Sequence, residues 1–248
     1  MRACSHAEPI ESVEREARTA FDVLCQGGRM ALIHHAELVP SKLELLAAWL
    51  PSQSFWPDDG TNELERVAAY RFDDPAGKVG IETLIVRVPT PNRAVTLQVP
   101  LTYREAPLPG GEAAFIGNTE HSVLGTRWVY DATGDPVYVA ELVRTIVTGD
   151  REVEQFYEEN GERTMKSGDA QVRGSGHPNA SVPATPTDPT SLVRESDAAS
   201  TCVGAGDVRV RVVRDLEVQD AGRPQDGDGL LLGDWAGVTG ALLAVVTG

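Results

Sequence analysis

Six side chains in the run Gly117–Asp131 could do chemistry: Glu120, His121, Arg127, Trp128, Tyr130 and Asp131. A carboxylate beside an imidazole suits acid–base work, because a histidine titrates near neutrality. Neighbours on a strand point to opposite faces, however, so Glu120 and His121 do not naturally pair. The plainer reading is a histidine that bonds backbone and shapes a turn. The same alternation puts Arg127, Val129 and Asp131 on one face and Trp128 with Tyr130 on the other. A Trp/Tyr face can stack on a sugar ring or clasp a partner. It is more often core, with each polar tip satisfied at an edge, and core is the favoured reading.

The remaining polar pairs carry less. His34 and His35 diverge on a strand with no third metal ligand nearby, and are read as surface or interface residues. Asp58-Asp59 and Asp73-Asp74 sit in turns and need no metal. There is no GxxxxGK[ST] loop, no GxGxxG between strand and helix, and no GxSxG elbow. There is also no HxD catalytic loop with a downstream asparagine. The three lysines, Lys42, Lys78 and Lys166, stand in no nucleotide-binding context. No cofactor and no metal are expected.

The elements that must position these residues are legible in part. Ser41-Lys42-Leu43-Glu44 is a capping box. Leu43, Leu46, Ala47 and Leu50 then form one apolar stripe, and Pro51 stops the helix. A meander is expected at residues 65–72, 79–88, 94–103, 113–116 and 123–130. The third strand alternates most clearly, and its Pro100 marks an edge or bulge. Asp135-Pro136 opens a helix with Val139, Leu142, Val143 and Ile146 as its core face and Gly149 as its close. That helix is expected to extend or restart through residues 151–160. Residues 168–200 read as a disordered linker, with Pro178, Pro183, Pro186 and Pro189 and no apolar period. Residues 201–248 read as a short β tail, with Val208, Val210 and Val212 alternating against Arg209 and Arg211. Such a tail is too small for its own core and should dock on the preceding module.

At 248 residues the chain can bury a real core, and its net charge of −15 repels phosphate backbones and anionic lipid. Neither nucleic acid nor a membrane is an expected partner. Cys4, Cys25 and Cys202 show no ligand spacing and suit a reducing cytoplasm. The apolar stretch at 230–246 is interrupted by Asp234 and glycines, which argues against a membrane span. Residues 1–29 are read either as an over-extended leader ahead of a natural start at Met30 or as a short helix. They carry no apolar signal-peptide core.

Residues 30–150 resemble the maltokinase N-terminal cap family, most specifically in LTYREAPLPG at 101–110 and EHSVLGTRWVYD at 120–131. The resemblance implies an α+β fold, a curved antiparallel sheet on one or two helices and somewhat cystatin-like, here with a small β-rich C-terminal extension. It implies a cap domain spanning 30–167. In that family the cap precedes a sugar kinase that uses ATP and magnesium, and no catalytic residue carries over, because those lie outside the matching segment. The expectation is a non-catalytic, stand-alone cap that binds or regulates a sugar kinase or glucan-metabolism enzyme in glycogen- or trehalose-linked metabolism. Self-association through the sheet is a further expectation. The alternative is a small enzyme or sugar-binding subunit, which requires Glu120, His121, Arg127 and Asp131 to converge in one pocket.

Overall fold

The computed structural model describes residues 30–33, 37–159, 162–166, 168–218 and 224–248. The leader 1–29 and the pair His34-His35 lie outside the described residues.

Strands β1 (Met30–Ile33) and β2 (Leu38–Val39) precede helix α1 (Lys42–Trp49). Ser41 caps α1 in a reciprocal box: its hydroxyl accepts from the Glu44 amide at 3.3 Å, and its amide donates to the Glu44 carboxylate at 2.7 Å. Pro51 tightens the chain into a 3-10 turn at Leu50–Ser52. Leu46 and Leu50 are thereby pressed onto a sheet and fully buried.

That sheet contains β3 (Glu65–Phe72), β4 (Gly80–Pro89), β5 (Ala94–Arg104), β6 (Phe115–His121) and β7 (Gly125–Asp131), with spatial order β2-β6-β7-β5-β4-β3 and every pairing antiparallel. The simple meander therefore stops at β5. The connection at 105–114 carries the chain past one position, and β7 returns to fill it beside β5. Strand β6 also runs on to His121, beyond the expected 113–116, so the segment before β7 is a tight hairpin.

Pro100 lies on interior strand β5, not at an edge. Around it the even-numbered residues direct their backbone groups away from β4: the Gln98 amide donates to the Arg214 carbonyl, and the Leu216 amide donates to the Thr96 carbonyl. The Pro100 nitrogen faces the same side, just before pairing with β7 begins at Leu101 opposite Asp131. No ladder donor is needed there.

Helix α2 (Pro136–Thr148) follows β7, with Asp135 as N-cap and Gly149 in the left-handed region at φ 67°. Gly149 ends it outright, and the described residues 150–159 are not helical. Instead β8 (Glu154–Glu159) pairs parallel with β1 and antiparallel with β9 (Glu162–Lys166).

The expected linker also departs from disorder. Residues 168–200 contain β10 (Ala170–Gly174), a 3-10 turn at Pro189–Ser191 and β11 (Val193–Ser196). Ala170, Val172 and Gly174 alternate inward, a three-residue period too short to stand out amid the prolines. With β12 (Ser200–Ala205), β13 (Val208–Val213), β14 (Gly229–Trp235) and β15 (Val238–Thr247) they form a second antiparallel sheet, order β10-β14-β15-β13-β12-β11.

The two curled sheets share α2. Its Val139, Leu142, Val143 and Ile146 enter one core with Tyr70, Phe72, Ile81 and Ile85 from the first sheet and Val203, Val210, Val212 and Leu231 from the second. Each such aliphatic side chain contributes roughly 1.5–3 kcal/mol on burial. The opposite face of the first sheet packs Leu84, Val86, Leu97, Val99 and Val129 against α1. The fold class is α+β, as the resemblance implies. Among the described residues, no helix is long and apolar enough to cross a membrane.

Backbone meets backbone where α2 ends. The amides of Gly176 and His177 donate to the carbonyls of Ile146 and Val147 at 2.9 and 3.0 Å, satisfying helix-end acceptors. A Cβ on Gly176 would lie 1.9 Å from the Val147 oxygen. Gly176→Ala is therefore expected to destabilise by about 2–3 kcal/mol. Gly77→Ala, whose added Cβ meets open space at φ 66°, should cost only about 1–2 kcal/mol. Urea unfolding of the two variants checks the order.

Candidate functional site

The β6–β7 hairpin divides the six candidate residues between two faces. Asn118 pairs with Trp128, Glu120 with Thr126, and Phe115 with Tyr130. The Thr126 hydroxyl donates to Glu120 Oε1 at 2.7 Å, and the Phe115 and Tyr130 rings stand 5.4 Å apart. Glu120, Trp128 and Tyr130 thus share the face on which α2 lies. His121, Arg127 and Asp131 take the other, where Val129 packs toward α1.

Three of them are engaged in local structure. His121 Nδ1 accepts from the amides of Val123 and Leu124 at 3.2 and 3.1 Å, which fixes the hairpin turn. Arg127 donates to the Leu124 carbonyl at 2.7 Å. The Tyr130 hydroxyl accepts from the Leu108 amide at 2.8 Å, while its ring is buried. The convergence of Glu120, His121, Arg127 and Asp131 in one pocket does not occur, because strand alternation separates Glu120 from the rest.

Asp131 is instead the centre of a buried ion cluster. Arg214, from the second sheet and fully buried, donates through Nη2 to both Asp131 oxygens at 2.8 and 2.7 Å and to the Thr133 hydroxyl at 3.1 Å. Its Nε donates to the Thr201 hydroxyl at 2.8 Å. Its guanidinium carbon stands 4.7 Å from the centroid of the Phe55 ring, a cation–π contact. Arg194 adds a second cation, 3.7 Å from Asp131 Oδ2. Burial pushes the Asp131 carboxyl upward, but the Arg214 and Arg194 charges, with hydrogen bonds from Arg214 and Thr133, outweigh it and hold it below its ordinary value.

Asp135 anchors a neighbouring cluster. It caps α2 by accepting from the Val137 amide at 3.0 Å. It also accepts from the Thr102 hydroxyl at 2.8 Å and takes Arg104 as a two-pronged partner, both contacts at 2.7 Å.

A third group lies at the end of the first sheet's α1 face. Glu82, nearly buried, accepts from Lys42 and from the Tyr103 hydroxyl at 3.1 Å. Arg71 is its cross-strand neighbour. Burial raises the Glu82 carboxyl, yet the charges of Lys42 and Arg71 and the two hydrogen bonds draw it down to about 2. Among the described residues no group of three or more His, Cys, Asp or Glu could hold a metal ion.

Arg214, Arg194 and Arg104 escape a reading of the sequence. Arg214 directly follows β13, where valines alternate with Arg209 and Arg211 and no motif stands out, and its partner is 83 residues away. Arg104 had one cue, its place two residues beyond Thr102 on a strand that alternates.

With this geometry in view, the comparison with known families is specific. Residues 49–135 match the maltokinase N-terminal cap domain, so the chain carries a maltokinase-cap-like segment. The match takes in α1's last residue, most of the first sheet, Asp131 and Asp135, and stops short of α2 and the second sheet. No curated protein matches the chain.

Two stability outcomes follow from the clusters. Arg214→Met strands a buried carboxylate and should cost about 3–5 kcal/mol; adding Asp131→Asn should recover part of that, as read by chemical denaturation. For Glu82 the folded value lies below the ordinary 4.5, so its contribution is complete above pH 4.5 and is lost as pH falls toward about 2. With Lys42 about one-third exposed, screening holds that contribution to roughly 2 kcal/mol. In Glu82→Gln the stability lost between pH 5 and pH 2 should shrink by about that amount, measured from urea midpoints across the range.

Proposed function

We propose that the chain is a cap-type binding module, not a catalyst, which associates with a sugar kinase or glucan-metabolism enzyme and regulates it in carbohydrate storage metabolism. The observation carrying this reading is the combination of the cap-domain match at 49–135 with the structural use of its acid and base side chains. His121 shapes a turn, Asp131 is locked by Arg214, and Asp135 is divided between a helix cap and Arg104. Each of these side chains is thus committed to local structure in the fold. A cytoplasmic setting fits the sparse cysteines.

The test pairs the full chain with a purified maltokinase-type enzyme whose own cap has been removed. A one-to-one complex by size exclusion, with a changed rate of maltose phosphorylation, is the expected outcome. The chain alone should form no sugar phosphate from ATP with maltose or glucosamine. Phosphate transfer by the isolated chain, or no complex at micromolar concentrations, overturns the reading.

A further inference from the structure

The core on the α2 side of the first sheet takes Tyr70 and Phe72 from β3 and Ile81 and Ile85 from β4, packed against α2 and the second sheet, and takes no residue of β6 or β7. Beyond the N-terminus of α2 the same face continues across β7 and β6. Cross-strand register places Arg104, Trp128 and Asn118 in one row across three strands, a span of about 10 Å. Thr126 and Glu120 form the next row on one side, and Tyr130 and Phe115 the row on the other. The connection at 105–114 walls the aromatic end, tied down by the bond from the Leu108 amide to Tyr130.

The chemistry of this face is mixed in an informative way. Phe115 is 41% exposed and Trp128 is half-buried, so aromatic surface meets water. The Trp128 indole N–H and the exposed Asn118 amide make no side-chain hydrogen bond among the described residues. Glu120 keeps one carboxylate oxygen beyond its bond to Thr126. Arg104 is already neutralised by Asp135. A purely apolar partner would leave these hydrogen-bonding groups unsatisfied. An anionic ligand would face Glu120 and a chain of net charge −15, with no uncommitted cation in the row. What fits is a neutral molecule with an apolar C–H face and a rim of hydroxyls.

The geometry points to a binding platform for a neutral oligosaccharide on the β5–β7–β6 face, with a pyranose ring stacked on Trp128 and its hydroxyls met by Asn118, Glu120 and the indole N–H. Arg104 and Tyr130 are positioning residues: Arg104 is held by Asp135, and Tyr130 supports the Phe115 ring from below. A face spread over three strands suits an extended chain of sugar units better than a single enclosed sugar. This site stands apart from the proposed association with an enzyme, because it needs no second protein.

The experiment uses the full chain with maltoheptaose and cellohexaose, followed by tryptophan fluorescence and calorimetry, and by affinity electrophoresis in glycogen-containing gels. Saturable binding of at least one saccharide is expected. Trp128→Ala should weaken it at least tenfold and Asn118→Ala several-fold, with Val182→Ala, at an exposed residue outside the three strands, unchanged. Asn118 is exposed, so its variant reports even if Trp128→Ala unfolds. Absence of binding to any of the three saccharides overturns the proposal and leaves the enzyme-partner reading standing. Binding undiminished in Asn118→Ala and Phe115→Ala overturns the placement. A chain that ignores all three saccharides but self-associates, with Asn118→Ala monomeric, assigns the face to protein contact instead.

Discussion

The ion pair between Arg214 and Asp131 ties one sheet to the other. Both groups are removed from water, and an unpaired partner there would be strongly unfavourable. Most of the bonds around the pair are made: two contacts to the carboxylate, one to each of two threonine hydroxyls, and an aromatic face above, while the buried Arg214 Nη1 has no hydrogen-bond partner among the described residues. Its position matters as much as its strength. Asp131 ends β7 and starts the turn into α2, so the same contact fixes the exit of the first sheet and the entry of the shared helix.

Gln98 reinforces that junction from the middle of β5. Its amide group donates to the carbonyls of Val213 and Leu243 at 2.7 and 2.9 Å and accepts from the Tyr70 hydroxyl at 2.9 Å. Its backbone amide bonds Arg214. Leu97 and Asp215 form an isolated bridge beside it. The second sheet is thus joined to the first by main-chain hydrogen bonds as well as by packing on α2. A fully satisfied polar contact of this kind selects one docking geometry, which apolar packing alone would leave loosely defined.

Local signals were readable wherever the chemistry is local. The Ser41 capping box, the Asp135-Pro136 start, the Gly149 stop and the alternation of β5 all involve residues within a few positions of one another. The division of Trp128 and Tyr130 from Arg127 and Asp131 follows from the same short-range alternation. What escaped depends on distance or on competing composition. Strand β7 inserting between β5 and β6 is decided by where a ten-residue connection goes. Strand β10 has only three inward residues in a proline-rich stretch. Arg104 and Asn118 gain meaning only when β5, β6 and β7 lie side by side, so the open face could be seen in the sequence as a Trp/Tyr stripe but not as a platform.

The separation between Asp131 and Arg214 has a consequence for synthesis. Across the 83 residues between them, at about 5–20 residues per second, roughly 4–17 s pass between the emergence of the carboxylate and that of its cation. During that interval the first sheet can pair and α1 can close its outer core, since every residue needed is already present. The inner face cannot close in the same way. Its Gln98 has no Val213 or Leu243 carbonyl to bond, and Asp131 has no counter-ion. A nascent chain is therefore a half-finished sandwich, dry on one side and wet on the other, and the last strand to arrive seals it.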